Sequence, residues 1–353
     1  MSYEPEFQQA YDDLVSSLEA SSLLTEHPEY RRALPIVCEP ETIAQFRVVW
    51  DDDQGKPQLN RGYRIHYNTA LGPCKGGIRF HKSVNLSVLK FLGLAQVFKN
   101  ALTGLSIGGA KGGSDFDPKG RTDNEIRRFC QAFMNQLHHH VGINIDIPGG
   151  DIGVSEREIG WLFGHFKTIN RSSEAVITGK GLTWGGSYGR KEAAGFGVAY
   201  YVEEMIRYRS KGTDSLKGKA VAVSGAGNVA LHAALKTIQL GGIVKSVSDS
   251  LGSLVATSAR GIDLDTLQAI MVLKTRRAQL ATFAKQGEHT GFNYIAGVRP
   301  WEFVGQVDVA MPCATQNELS LQEAKSLIAA GCHYVAEGSN MGCTAEACAL
   351  FES

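Results

Sequence analysis

The spacing of apolar positions divides the chain into recognisable elements. Residues 4–33 carry Leu14, Leu18 and Leu23 on one stripe, which predicts a helix. "QFRVVWDDDQGKPQLNRGYRIHYN" alternates, breaks at Asp53–Gly55 and resumes its alternation, the pattern of a β-hairpin. "NLSVLKFLGLAQVFKNAL" (85–102) is apolar nearly all round and predicts a buried helix. "TDNEIRRFCQAFMNQLHHHV" (122–141) predicts another, N-capped by Thr122 or Asp123 with Glu125 in its first turn. "GINIDIPGGDIGVSEREIGWLFGHF" reads as a strand, a glycine loop and a helix.

A long helix is expected over 191–210, followed by the polar connector "GTDSLKGK". From Lys219 the pattern changes to "AVAVSG", "AGNVALHAALKTIQLGG" and "IVKSVSDS", a βαβ unit that implies a parallel sheet. Further strands are expected at 307–312 and 333–338, and the domain boundary falls near 180–195.

Composition narrows the function classes. At 353 residues the chain is long enough for two domains. Lys+Arg and Asp+Glu both count 36, so bulk charge gives no case for nucleic acid or an anionic membrane surface. Any cationic function is therefore local. The N-terminus is acidic and polar, unlike a signal or transit peptide, and no apolar run is long enough to span a bilayer. The seven cysteines include no CxxC pair, which suggests reduced thiols in a cytoplasmic protein without a zinc site or disulfide framework. Consecutive histidines at 138–140 point in different directions on a helix and read as a solvated helix end. The 40 glycines cluster at 72–77, 104–113, 142–153, 179–189 and 225–227, where tight turns or close backbone approach to a ligand are expected.

"AVAVSGAGNVA" (220–230) sets Gly225, Gly227 and Ala230 at the G-x-G-x-x-G/A spacing, after a strand and at the start of a helix. The first glycine allows the turn, the second admits pyrophosphate to the backbone, and the third small residue lets helix and strand pack. The helix N-terminus offers free N–H groups to phosphate. Asp249, at the end of the second strand, stands where a carboxylate would bind the ribose 2′-OH of NAD. Ser250, Lys274 and Arg277 could instead receive the 2′-phosphate of NADP, although the two cations also fit a solvated helix face.

Four polar groups stand in glycine-rich or apolar surroundings. Lys111 lies in "GGAKGGSDFD", which by itself also reads as a surface turn. Lys75 repeats that pattern in "GPCKGGIRF". Lys99 and Gln96, three residues apart, share a face of the buried helix, where Lys99 could also snorkel to water. Asp151 follows the glycines of "IPGGD" and could equally cap the next helix. A two-domain dehydrogenase, one domain holding the cofactor and the other an anionic substrate, gives these groups a common purpose.

These segments resemble the NADP-dependent glutamate dehydrogenases of fungal type. "EPEFQQAY", "GPCKGGIRFHKSVNLSVLKFLG", "FKNALTG", "GGAKGGSDFDPKG", "TGKGLTWGGS", "SGAGNVA", "PCATQNELS" and "AEGSNMGCT" look like the family's signatures, in order, over essentially the whole chain. The resemblance implies an α/β fold with a substrate-binding and oligomerisation domain over 1–185 and a Rossmann-type NADP-binding domain over 186–353. It implies reversible oxidative deamination of L-glutamate to 2-oxoglutarate and ammonia, and a homohexamer. Carried over, Lys75 would hold the side-chain carboxylate, and Lys99 with Gln96 the α-carboxylate. Lys111 would be the catalytic lysine and Asp151 its acid/base partner. Thr178, Arg190, Gly225, Gly227, Asn228, Val229, Asp249, Ser250, Lys274, Arg277 and Asn340 would serve the cofactor.

The chain also departs from that pattern. It stops at Ser353, where the family continues with C-terminal helices that help to bind the substrate. Ala194, Ala95 and Cys74 replace a threonine, a glutamate and a tyrosine, "IPGGD" replaces P-A-G-D, and "GVSERE" replaces G-V-G-G-R-E. These departures define an alternative reading, a catalytically impaired relative that acts as an NADP-binding or subunit-interaction protein.

Overall fold

The first helical stretch breaks twice, at Ser21–Ser22 and at His27, and proline explains the second break. Instead of one helix over 4–33, the computed structural model has α1 (Pro5–Ala20), α2 (Leu23–Glu26) and α3 (Pro28–Val37). The ring of Pro28 disfavours helical backbone at His27, which adopts φ −129° and ψ 71°. The structure describes residues 4–276, 278–285 and 291–353. They form two units, one ending at Tyr188 and the other spanning Gly189–Ser353.

In the first unit β1 (Thr42–Asp51) and β2 (Pro57–Asn68) make the expected antiparallel hairpin. Then come β3 (Cys74–Phe80), α4 (Leu86–Ala101), β4 (Gly109–Ser114), α5 (Asp123–Leu137), β5 (Asp146–Gly150) and α6 (Glu156–Asn170). Thr122 and Glu125 cap α5 reciprocally, each side chain accepting the other's backbone N–H. The sheet order is β1-β2-β4-β3-β5, with β3 parallel to both β4 and β5. The stretch that also read as a surface turn is therefore the middle strand, and all six residues of β4 are buried. Its missing side chains let α4 settle on it: a Cβ on Gly109 would lie 2.5 Å from Val97 Cγ2. Ile65 and Tyr67 of β2 pack with Leu89 and Leu94 of α4. Ile78 and Phe80 of β3 pack with Phe129 and Phe133 of α5 and Leu162 of α6.

One ion pair is sealed inside this sheet. Arg64 of β2 gives Nε and Nη2 to the two carboxylate oxygens of Asp146, each at 2.5 Å, and both side chains are fully buried. The guanidinium also donates to the carbonyls of Gly76 and Gly77 at 3.3–3.4 Å. His66 Nε2 lies 3.1 Å from Asp146 Oδ2. Burial penalises the Asp146 carboxylate, but the Arg64 charge and these hydrogen bonds outweigh it and hold the carboxyl below its ordinary range.

The second unit contains α7 (Ala193–Arg209), β6 (Ala220–Val223), α8 (Asn228–Gln239), β7 (Ile243–Asp249) and β8 (Gly252–Ala256). It continues with α9 (Leu264–Thr275), α10 (Leu280–Lys285), β9 (Phe292–Ala296), β10 (Val309–Met311), α11 (Leu321–Ala329), β11 (Tyr334–Val335) and α12 (Ala345–Glu352). The sheet order is β11-β10-β6-β7-β8-β9. Strands β11, β10, β6 and β7 run parallel, as the βαβ pattern implied, and β8 and β9 add an antiparallel edge. The order reverses at β6, between β7 and β10, which makes its carboxyl end a topological switch point. Among the described residues no helix is long and apolar enough to cross a membrane.

Asp146→Leu leaves the Arg64 guanidinium buried without its carboxylate. The expected loss is about 3–5 kcal/mol, read as a lower midpoint of the first unit's unfolding in urea. An unchanged midpoint would contradict the structural weight given to this pair.

Candidate active site and dinucleotide loop

Strand periodicity puts Lys75, Gly77 and Arg79 on one face of β3. Register pairs Gly77 with Gly149 of β5, and Lys111 of β4 with Ile65 of β2. Ile65 packs with α4, so Lys111 shares the side of the sheet where α4 carries Gln96 and Lys99. The glycines act as troughs for the amines. A Cβ on Gly77 would meet Lys111 Nζ at 3.3 Å, and one on Gly149 would meet Lys75 Nζ at 3.1 Å.

Lys111 Nζ lies 2.9 Å from Asp151 Oδ2, and Arg79 Nε donates to the same oxygen at 2.9 Å. The Lys111 side chain is 6% exposed and that of Asp151 19%. Burial lowers the Lys111 pKa. Asp151 opposes that shift, while the positive charges of Arg79 and Lys99 add to it. Burial likewise lowers the Lys99 pKa against the opposing pull of Asp151. Burial pushes the Asp151 carboxyl upward, but Lys111 and Arg79 outweigh it and hold the group well below the carboxylate range. The cluster therefore joins an amine with a reason to lose its proton to a carboxylate that stays ionised.

Gln96 gives its amide N–H to Asn100 Oδ1 at 2.7 Å. Asn100 in turn donates to the carbonyls of Lys75 (3.0 Å) and Gly108 (2.6 Å), tying α4 to the backbone that carries both strand lysines. Not every buried lysine belongs to this group: Lys90, on another face of α4, pairs with Glu4 at 2.7 Å. Sequence reasoning assigned no role to Arg79, Asn100 or the Arg64–Asp146 pair. Arg79 could have been found from its spacing, two residues beyond Gly77 on a strand. Asn100 and Arg64 gave no such signal, because their partners come from remote segments.

The dinucleotide loop lies in the second unit. Gly225 has φ +88°, and a Cβ there would come 2.9 Å from the Cys313 carbonyl oxygen and 3.1 Å from the Ala230 methyl. Only glycine suits both demands. Nothing lies within 4 Å of a Cβ at Gly227, so the second glycine faces open space. Asn228 begins α8 and donates to the Lys191 carbonyl at 2.6 Å, and Val229 is half-buried behind it. Ser248 Oγ accepts the Gly225 N–H at 2.8 Å, and Ser224 Oγ accepts the Cys313 N–H at 3.0 Å, which closes the switch point. The loop thus keeps space and exposed helical N–H groups where a pyrophosphate would lie.

Asp249 is already engaged. Its carboxylate accepts the N–H groups of Leu251 (3.1 Å) and Leu280 (2.9 Å) and meets Lys274 Nζ at 3.3 Å. Lys274 thereby balances the charge of the Asp249 carboxylate. Ser250 is exposed beside it, and Arg277 lies outside the described residues. Arg190 is exposed just before α7. Asn340 stands in a loop fixed by the Gly338 and Ser339 N–H groups on the Pro312 carbonyl, at 2.8 and 2.9 Å. Thr178 belongs to the first unit, where its N–H donates to the Pro148 carbonyl at 2.9 Å and its hydroxyl borders Gly149 beside Lys75.

Comparison with known proteins places this geometry in a family. Residues 40–168 match the family model described as Glu/Leu/Phe/Val dehydrogenase, dimerisation domain, and 185–353 match Glutamate/Leucine/Phenylalanine/Valine dehydrogenase. The chain is 59% identical over 351 residues to the NADP-specific glutamate dehydrogenase of Neurospora sitophila, covering 99% of this chain and 76% of that protein. It is 57% identical to the enzyme of the same name from Schizosaccharomyces pombe, covering 99% and 77%. The solved Plasmodium falciparum glutamate dehydrogenase superposes with a TM-score of 0.91 at 44% identity, over 99% of this chain and 73% of that one. The hetero-hexameric glutamate dehydrogenase of Thermus thermophilus gives 0.80 at 27% identity, over 100% and 79%. With both units matched and relatives this similar, the chain belongs to the glutamate, leucine, phenylalanine and valine dehydrogenase family.

Proposed function

We propose that this protein is an NADP-dependent glutamate dehydrogenase, converting L-glutamate reversibly to 2-oxoglutarate and ammonia. The observation that carries the chemistry is the Lys111–Asp151 contact of 2.9 Å, on a sheet face that also presents Lys75 and is covered by α4, which carries Lys99. The identity to relatives named for NADP-specific activity carries the substrate and the coenzyme. These names do not favour the impaired-relative alternative.

Bound NADP would supply a hydride acceptor for the substrate Cα. The protein's own residues do the rest. Lys75 binds the distal carboxylate and Lys99, beside Gln96, the α-carboxylate; a dianionic amino acid needs two such cations. Asp151, held ionised, accepts a proton from the substrate ammonium so that the nitrogen lone pair can assist hydride departure. Lys111, with its pKa lowered by burial, takes a proton from the water that attacks the resulting iminium. It returns that proton to the carbinolamine nitrogen; the C–N bond then breaks as the hydroxyl proton passes back to the amine, releasing ketone and ammonia. Gly225, Gly227, Asn228 and Val229 would hold the pyrophosphate, with Arg190, Asn340 and Thr178 at the rest of the coenzyme. Ser250, Lys274 and Arg277 would hold its 2′-phosphate.

We assign substrate binding and assembly to residues 1–185 and coenzyme binding to 186–353. We also propose assembly as a homohexamer; the dimerisation-domain match supports self-association, and the hetero-hexameric name of the Thermus relative supports six subunits. None of the seven cysteines is joined in a disulfide, which supports a reducing, cytoplasmic setting.

Lys111→Ala is expected to lower oxoglutarate- and ammonia-dependent NADPH oxidation by about 10²–10⁴-fold while NADPH binding, followed by fluorescence, persists. A variant within a fewfold of the parent rate would exclude Lys111 from the chemistry. Lys274→Ala exposes the Asp249 charge to the 2′-phosphate. It is expected to reduce the preference for NADPH over NADH by about tenfold, equivalent to about 1.4 kcal/mol. Equal kcat/KM ratios in parent and variant would sink that role.

A further inference from the structure

At the start of the last helix, Glu337, Cys343 and Cys348 bring one carboxylate oxygen and two sulfurs within 4.8 Å of one another. Local structure explains the meeting. Thr344 caps α12 and accepts the Ala347 N–H, so Cys343 is the residue before the cap and Cys348 the fourth residue of the helix. Those two positions form the hydrophobic staple of a helix start, which turns their side chains toward each other. Glu337 closes the third side: its Oε1 accepts the Cys343 N–H at 2.6 Å.

The platform is tied down. Asn317 N–H donates to the Met341 carbonyl at 2.7 Å, and the N–H groups of Glu318 and Leu319 to that of Gly342 at 2.8 and 3.0 Å. Met341 holds a left-handed φ of 53°, a conformation a non-glycine residue keeps only where its surroundings fix it. Cys343 is buried, Cys348 half-buried and Glu337 exposed, so the triad has a sealed side and an open side.

We propose that Glu337, Cys343 and Cys348 form a binding site for a soft divalent cation of the zinc class, with solvent as the fourth ligand. Two sulfurs and one carboxylate oxygen suit zinc, and three protein donors leave one tetrahedral position open. Sulfur and oxygen atoms bonded to one such ion lie closer together than the present upper limit, so closure needs only small side-chain rotations. Both thiols give up a proton on binding, so affinity rises with pH. The expectation of no zinc site rested on the lack of a CxxC pair. Here the sulfurs are five positions apart, and the third donor comes six residues before the first cysteine.

The test is titration of the fully reduced whole protein with cadmium, followed by the ultraviolet sulfur-to-cadmium charge-transfer band. One equivalent per chain is expected, with weaker binding at lower pH. Cys348→Ala, at a half-buried position, is expected to abolish the band while unfolding as the parent does. Glu337→Gln is expected to weaken binding at least tenfold. Competition by zinc is expected to remove the cadmium band. Absence of a band would overturn the proposal, and so would an unchanged band in Cys348→Ala, because cysteines outside the site would then account for the signal.

Discussion

The structure of the first unit depends on keeping a cationic amine inside a sheet. Lys111 is nearly sealed from water in the middle strand, and a charge there is tolerated only because Asp151 stands at 2.9 Å. Everything around it serves that contact. Glycines at 77 and 149 leave the width that two lysine chains need. Gly109 lets α4 lie low enough to bring Lys99 to the same face. Arg79 shares the Asp151 oxygen, which keeps the carboxylate charged and aimed. On such a strand a side chain is an obstruction unless it is the functional one.

A second buried pair supports the first. Arg64 and Asp146 join β2 to β5 beneath the carbonyls of Gly76 and Gly77, between Lys75 and Arg79 in the chain. Glycine-rich strands pack few side chains against their neighbours and have weak intrinsic preference for the sheet. A bidentate guanidinium spanning three strands replaces part of the lost packing and fixes register. In the second unit Lys274 plays a comparable part for Asp249, balancing the charge of its carboxylate at 3.3 Å.

Much of this was legible in the residues, for definite reasons. Alternation and turn chemistry gave the β1–β2 hairpin, the Thr122–Glu125 cap and the strand–loop–helix around Gly225, because each rests on contacts between near neighbours in sequence. What escaped depends on distant partners. Residues 109–114 carry no apolar alternation, so nothing local marks them as a buried strand; the overlying α4 and flanking β2 and β3 make them one. The first helical stripe looked continuous because leucine spacing does not register the constraint that Pro28 places on His27. The amines at 75, 99 and 111 stood out from their surroundings, yet Arg79, equally involved, was hidden by its ordinary place beside apolar residues. Asp249 was visible, but its satisfaction by Leu251, Leu280 and Lys274 was not.

The central claim is that sheet and helix together seat the Lys111 amine dry, beside an ionised carboxylate and among other cations. Its most direct measurement is the titration of the Lys111 side chain by NMR in protein with isotope-labelled lysine, assigned with the help of a Lys111 variant. The structure predicts a midpoint below the ordinary lysine value of about 10.4, with Asp151 remaining ionised throughout. A Lys111 midpoint at or above that value would mean that the amine is solvated or dominated by its carboxylate partner, and would contradict the account.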